Sequence, residues 1–148
     1  KLFGDDGSDT LRGGSGRDRL VGGNGPDELL GGKDVDKLQG GAGADRFLYT
    51  NRKDGGNKGD KLQDFDVAQD TLVFKGKAFD ETFKRDRALK KKHFTLGTRA
   101  TRKNHRFIYD DASGDLSFDP DGNGSEKSIS IARLDSGLAL DRKSFLII

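Results

Sequence analysis

Five aspartates recur at nine-residue intervals, Asp9, Asp18, Asp27, Asp36 and Asp45, and two positions after each stands a large apolar residue: Leu11, Leu20, Leu29, Leu38 and Phe47. Carboxylates in such a register present a row of hard anionic oxygens, the donor type that a hard divalent cation gathers in shells of about six to eight. The chain contains no cysteine with which to favour a softer metal.

The units that carry these residues run from Gly4 to Leu48 and read GDDGSDTLR, GGSGRDRLV, GGNGPDELL, GGKDVDKLQ and GGAGADRFL. A turn repeated at this interval must reverse the chain sharply, which calls for positive φ angles that glycine reaches cheaply. Asp5, Asp6 and Asp34 stand where neighbouring units carry glycine or a variable residue, and aspartate is among the few L-residues that tolerate the left-handed region. Behind each turn comes a triplet such as Arg19-Leu20-Val21 or Lys37-Leu38-Gln39. In an extended strand its middle residue points opposite to its neighbours, so each triplet offers one apolar side chain to a narrow interior.

The nonapeptide resembles the RTX family of hemolysin-type calcium-binding repeats. The resemblance implies an all-β fold: a parallel β-roll of glycine-rich nonapeptide repeats with a C-terminal antiparallel β cap. In that roll successive units alternate between two facing sheets, so unit n lies over unit n+2. Leu11, Leu29 and Phe47 are then expected to stack on one sheet and Leu20 with Leu38 on the other. The resemblance further implies Ca²⁺ sandwiched between alternate turns by main-chain carbonyls and one aspartate from each, pairing Asp9 with Asp27, Asp18 with Asp36, and Asp27 with Asp45. The ligand set carried over is Gly4, Asp6 and Asp9 in the first unit and Gly13, Ser15 and Asp18 in the second. The third unit supplies Gly22, Gly23, Asn24, Gly25 and Asp27, the fourth Gly31, Gly32, Lys33, Asp34 and Asp36, and the fifth Gly40, Gly41, Ala42, Gly43 and Asp45.

Composition agrees on energetic grounds. The chain has 148 residues, 31% of them hydrophobic and 22 of them glycine. Ordering so glycine-rich a chain costs about 1–2 kcal/mol per residue, and one narrow apolar side chain per repeat does not offset that. Metal binding is expected to make up the difference, leaving the repeats disordered at low calcium and folded at the millimolar calcium outside cells. Lys1-Leu2-Phe3 fits the seventh to ninth positions of an earlier unit, an expectation that the chain is part of a longer exported protein. No signal peptide or transmembrane run is present in the sequence.

After Leu48 the register stops and Asn51 to Lys58 reads as a connection, which divides the chain into a roll over 1–48 and a capping and secretion-signal region over 49–148. GDKLQDFDVAQDTLVF, from Gly59 to Phe74, resembles the segment after the last repeat in RTX proteins and serralysin-type C-terminal domains. Leu62, Phe65, Leu72 and Phe74 are expected to extend the core. Asp60, Asp64 and Asp70 either complete calcium sites begun by the fourth and fifth units or only cap turns. Further on, Phe107-Ile108-Tyr109, Leu116-Ser117-Phe118 and Ser128 to Ile131 alternate as antiparallel strands should. Tyr109 to Gly124, with the terminal DRKSFLII, resembles the cap of type I-secreted bacterial proteins, and Ser144 to Ile148 resembles an uncleaved C-terminal signal read by type I secretion machinery. Asp119, Asp121, Asn123 and Gly124 match the opening of an EF-hand loop, but Ser130 stands where that loop requires glutamate, which favours a hairpin turn.

One stretch is strongly basic. Lys84, Arg85, Arg87, Lys90, Lys91, Lys92, Arg99, Arg102, Lys103 and Arg106 face Asp86 as the only acid between them. Such a cluster either meets an anionic polysaccharide or the cell envelope, or forms a solvated face on a short helix suggested by Phe79, Phe83 and Leu89. No aromatic interleaving supports nucleic-acid recognition. His93 and His105 read as surface histidines, and no catalytic motif is present, so the chain is not expected to be an enzyme. The sequence thus reads as a secreted, extracellular calcium-binding module that folds on Ca²⁺ after type I secretion.

Overall fold

In the computed structural model, which describes residues 1–85 and 87–148, each nonapeptide forms one turn and one short strand. The repeats give β1 (Leu2–Asp6), β2 (Thr10–Gly14), β3 (Arg19–Asn24), β4 (Glu28–Gly32), β5 (Lys37–Ala42) and β6 (Arg46–Tyr49). Beyond them come β7 (Asp60–Leu62), β8 (Thr71–Phe74), the one-turn helix α1 (Gly76–Phe79), β9 (Arg87–Ala88) and β10 (Phe94–Leu96). The chain ends through β11 (Phe107–Asp110), β12 (Asp115–Phe118), β13 (Ile129–Arg133) and β14 (Phe145–Ile147).

Odd and even strands of the repeats part into two sheets. One has the order β1-β3-β5-β7-β13-β12-β11-β10, the other β2-β4-β6-β8-β14-β9. Within the roll all pairs are parallel and in register, because each side chain sits on its counterpart eighteen residues on: Leu2 on Leu20, Leu20 on Leu38, Leu11 on Leu29 and Leu29 on Phe47. Leu38 then meets Leu62, and Phe47 meets Leu72, which meets Phe145. Leu20, Leu29, Leu38, Phe47 and Leu72 are fully buried. This is the alternation of unit n over unit n+2.

Glycine serves the turns in two ways. The second and fourth positions take positive φ, from 98° at Gly14 to 122° at Gly23 in the one and from 92° at Gly16 to 137° at Gly43 in the other. Asp5 (φ 67°) and Asp34 (φ 74°) fill one such position each, and they are the only non-glycine residues with positive φ among the described residues. Asp6 does not share this conformation. The first position carries glycine for want of space, as the turn geometry below makes clear.

Both sheets run on without a break into the C-terminal half. β11, β12 and β13 form an antiparallel meander, joined by β13 running parallel to β7, with β10 parallel to β11 at the outer edge. β14 enters the other sheet between β8, to which it is parallel, and β9, to which it is antiparallel. Here the single file of leucines widens into an aromatic cluster in which Phe107 packs on Phe74, Phe118 and Phe145 at centroid distances of 4.6, 5.3 and 5.2 Å.

The helix expected around Phe79, Phe83 and Leu89 is confined to Gly76–Phe79, although all three side chains are buried. It stops at Asp80, whose carboxylate accepts from the Thr82 N–H and hydroxyl at 2.8 and 2.7 Å, a local bond that competes with helix continuation. The EF-hand-like Asp119 to Gly124 lies in the loop between the antiparallel β12 and β13.

Candidate metal centre

The repeat aspartates are gathered by a ladder of main-chain bonds. The N–H of Asp9 donates to Asp27 Oδ1 at 2.8 Å, that of Asp18 to Asp36 Oδ1 at 2.7 Å, and that of Asp27 to Asp45 Oδ1 at 2.9 Å. The ladder continues past the repeats, with Asp36 N–H donating to Asp60 Oδ1 and Asp45 N–H to Asp70 Oδ1, both at 2.9 Å. One edge of the roll therefore carries Asp9, Asp27, Asp45 and Asp70, and the other Asp18, Asp36 and Asp60.

Asp27, Asp36, Asp45 and Asp60 each spend Oδ1 on this bond, whereas Asp9 and Asp18, at the start of the ladder, accept none and Asp70 also accepts from Asp66 N–H through Oδ2. Oδ2 of Asp60 is buried with the Tyr49 phenol as the donor beside it, and Oδ2 of Asp9, Asp27, Asp36 and Asp45 is buried without a hydrogen-bond partner. These oxygens crowd against the first glycine of their own turn. A Cβ built on Gly22 would stand 2.3 Å from Asp27 Oδ2 and 2.5 Å from the Gly40 carbonyl oxygen of the next turn on that edge, and one on Gly4 would stand 2.8 Å from Asp9 Oδ2 and 2.5 Å from the Gly22 carbonyl oxygen. Built on Gly31 and Gly40 it would approach Asp36 Oδ2 to 2.4 Å and Asp45 Oδ2 to 2.2 Å. The first glycine thus keeps open a cradle floored by an anionic oxygen and a carbonyl oxygen, with no proton donor between them.

A buried carboxylate oxygen without a donor is costly, and a hard cation fits these oxygens. Among the described residues no three acidic or histidine side chains converge, so main-chain carbonyls must supply most of the shell. Asp6 accepts from Asn24 Nδ2 at 2.8 Å and Asp34 from Gly16 N–H at 3.1 Å, contacts between turns on the exposed rim.

With no cation present, burial pushes the carboxyls of Asp36, Asp45 and Asp64 above the ordinary range, moves Asp60 up to about 7 and moves Asp70 to about 6. Neighbouring carboxylates add to the effect, Asp36 and Asp54 upon Asp60 and Asp45 and Asp64 upon Asp70. Asp64 accepts from Gly40 N–H and Gly41 N–H at 2.9 and 3.0 Å.

Residues 1–29 and 21–49 match the RTX calcium-binding nonapeptide repeat, in four copies. These repeats bind calcium. No curated protein and no solved structure matches the chain. The RTX match covers the ladder from Asp9 to Asp45; Asp60, Asp64 and Asp70 lie beyond it.

The basic residues of the 84–106 stretch are exposed except Arg106, which pairs with Asp80 at 2.7 Å. They are parcelled out rather than gathered: Lys84, Arg87 and Lys90 rim a cleft beside His93, Lys91 shares a depression with Arg142 and Lys143, and Arg99 faces Asp119. Asp86 lies outside the described residues. The histidines are buried, contrary to expectation. His93 lies with Nδ1 3.0 Å from the Asn104 carbonyl oxygen and edge-on to Phe83, and His105 Nδ1 accepts from Thr101 N–H at 3.4 Å. Burial lowers the pKa values of both rings. Sequence reasoning also missed Tyr49, which stands where the count of nine from Gly40 would place the first glycine of a sixth unit and whose phenol is buried beside Asp60.

Replacing Asp27 with alanine removes one bare oxygen and the acceptor of Asp9 N–H, in a turn flanked by repeats on both sides, whereas Asp9→Ala removes a bare oxygen at the first rung only. The calcium midpoint for folding should rise by at least about tenfold in Asp27→Ala, and by less in Asp9→Ala. Equal midpoints by calcium titration in the same salt would mean that alternate turns do not share ions.

The raised carboxyls also set a pH dependence for the calcium-free chain. Their folded pKa values lie above the unfolded ones, so the folded state binds the extra protons, and the stability they lend is complete below about pH 4 and lost as pH rises through about 6 to 7. In chelator, the β signal in circular dichroism should therefore grow on acidification from about pH 8 to about pH 5. A signal that stays flat or falls would contradict the burial of Asp60 and Asp70.

Proposed function

We propose that the chain is a calcium-dependent folding module of a larger exoprotein, kept unfolded at low calcium, carried out by type I secretion machinery and folded outside the cell. The observation that carries the calcium dependence is the set of buried carboxylate oxygens without hydrogen-bond partners, Asp9, Asp27 and Asp45 on one edge of the roll and Asp36 on the other. Until a cation meets them, folding buries charge next to charge at the strand spacing of about 4.8 Å. Ion binding to the folded form alone becomes folding free energy.

Residues 1–48 serve as the calcium-binding roll and 49–148 as the cap and secretion signal. Phe145 and Ile147 of β14 are 1% and 2% exposed and pair into the sheet between β8 and β9. A terminal signal of this kind is legible to a transporter only while the chain is unfolded. Low calcium inside the cell keeps it so, and folding outside hides it, which gives export a direction. No helix of the described residues is long and apolar enough to cross a membrane.

Circular dichroism should show a largely disordered chain in chelator that gains β structure at about 10⁻⁴–10⁻³ M calcium, the range of extracellular sites. Full native signal in chelator at neutral pH would overturn the proposal. Removal of Ser144 to Ile148 strips Phe145 from the aromatic cluster and should impair both secretion and calcium-driven folding; a truncated chain exported and folded like the full one would refute both roles of β14.

A further inference from the structure

The residue that follows each ladder aspartate opens the strand and faces outward, and it differs between the two sheets. In the sheet of β3, β5 and β7 it is Arg19, Lys37 and Lys61. The register sets Arg19 beside Lys37, Lys37 beside Lys61, and Lys61 beside Arg133 of β13. All four are exposed, because the buried Leu20, Leu38 and Leu62 point into the roll and leave their neighbours on the outer face. Three strand gaps of about 4.8 Å make a straight row of cations about 14 Å long. Among the described residues, Arg133 is the one member of the row in an ion pair, with Asp115 Oδ1 at 2.6 Å. The members stand eighteen or more residues apart in the chain, so no local charge count reveals them.

Like charges directly opposite one another on neighbouring strands oppose the pairing of a sheet, so a row of them asks for a reason. Balancing the ladder carboxylates is not that reason. On the other sheet Asp9, Asp27, Asp45 and Asp70 are followed by Thr10, Glu28, Arg46 and Thr71, stacked in the same way, and there the two charged residues neutralise each other, Arg46 on Glu28 at 2.8 Å. Two positions along the strands from the row, on the same face, Phe3 sits beside Val21 and Val21 beside Gln39, a rail without charge in which Phe3 is 55% exposed. At its far end the row enters a groove that Lys61 and Arg133 share with Lys58, Asn57, Ser117 and Ser130.

We propose that this outer face docks a linear acidic polysaccharide, laid across the strands with its carboxylates along Arg19, Lys37, Lys61 and Arg133. A polymer whose charges recur at the strand spacing meets every cation of the row at once, and an extended chain of pyranose sugars advances by nearly that spacing per residue. The uncharged rail suits the faces of the sugar rings, and the amide and hydroxyls of the groove suit sugar hydroxyls. A nucleic acid asks instead for a series of aromatic side chains on which successive bases stack, and the rail holds the single aromatic Phe3. The surface uses the register of the roll and is independent of how the chain is exported.

The test takes the full chain folded in excess calcium and titrates it calorimetrically with hexagalacturonate, and with its methyl ester as the uncharged counterpart. The acid should bind, more weakly as salt is raised, and the ester should not. Lys37→Gln and Lys61→Gln should each weaken binding about two- to fivefold, and the double substitution by more than either alone. Arg12→Gln, which removes an exposed cation from the other sheet, should leave it unchanged. Because the row repels itself, Lys37→Gln should fold at the same calcium concentration as the parent chain or a lower one, which separates a lost contact from a lost fold. Absence of binding to the acid, equal binding of the ester, or an equal loss in Arg12→Gln would overturn the proposal, the last by reducing it to net charge. Tighter binding of a single-stranded oligonucleotide of the same charge would overturn the sugar as the occupant of this face.

Discussion

Every turn of the roll depends on one division of labour within a carboxylate. One oxygen of Asp27, Asp36 and Asp45 is held by the N–H of the aspartate one rung before it, and the other is buried without a hydrogen-bond partner. The first bond fixes the side chain in place and costs little. The second oxygen makes the folded form expensive unless a cation is supplied, and it also dictates the residue beside it: a Cβ at the first position would collide with that oxygen. Asp, glycine and metal are therefore one constraint seen from three sides.

The hydrophobic part of the structure is arranged around this constraint. From β2 to β5 each strand contributes a single buried side chain, and Leu20, Leu29 and Leu38 bury completely but touch mainly the same residue type above and below. Such a file excludes water without forming a broad core, which is why metal linkage matters there. In the C-terminal half the loops lengthen, both sheets gain strands, and Phe74, Phe79, Phe107, Phe118 and Phe145 pack into a cluster of ordinary depth. Stability thus shifts along the chain from ion binding towards apolar burial, and the sheets that run through both halves make the two interdependent.

The roll was legible in the sequence because its determinants are local and periodic. The count of nine placed Leu11 over Leu29 and Leu20 over Leu38, and the exceptions Asp5 and Asp34 fall at positive φ as aspartate's tolerance suggests. What stayed hidden depends on contacts across long separations. Nothing near Tyr49 in sequence announces Asp60 beside it, and nothing near His93 or His105 says that their rings are covered. Asp64 and Asp70 accept from N–H groups of Gly40, Gly41, Asp45 and Asp66, most of them more than twenty residues away and invisible to a local reading. The helix around Phe79 was overextended because its apolar spacing fits a helix while Asp80 ends it with a side-chain bond of its own.

The near-identity of the rungs carries a hazard of its own. A stack whose units repeat every eighteen residues can be translated by one whole rung and still satisfy its leucines, its glycines and its aspartates, so within the repeats the correct alignment is scarcely distinguished from a slipped one. The degeneracy is broken where the spacing changes: the aspartate rungs that join the repeats to the cap span 24 and 25 residues instead of 18. A slipped stack would bring turns of the wrong length against Asp36 and Asp45 and would set Leu62 and Leu72 off their partners. The irregular turns therefore act as a vernier, and the alignment of the whole ladder is read off from its one uneven end.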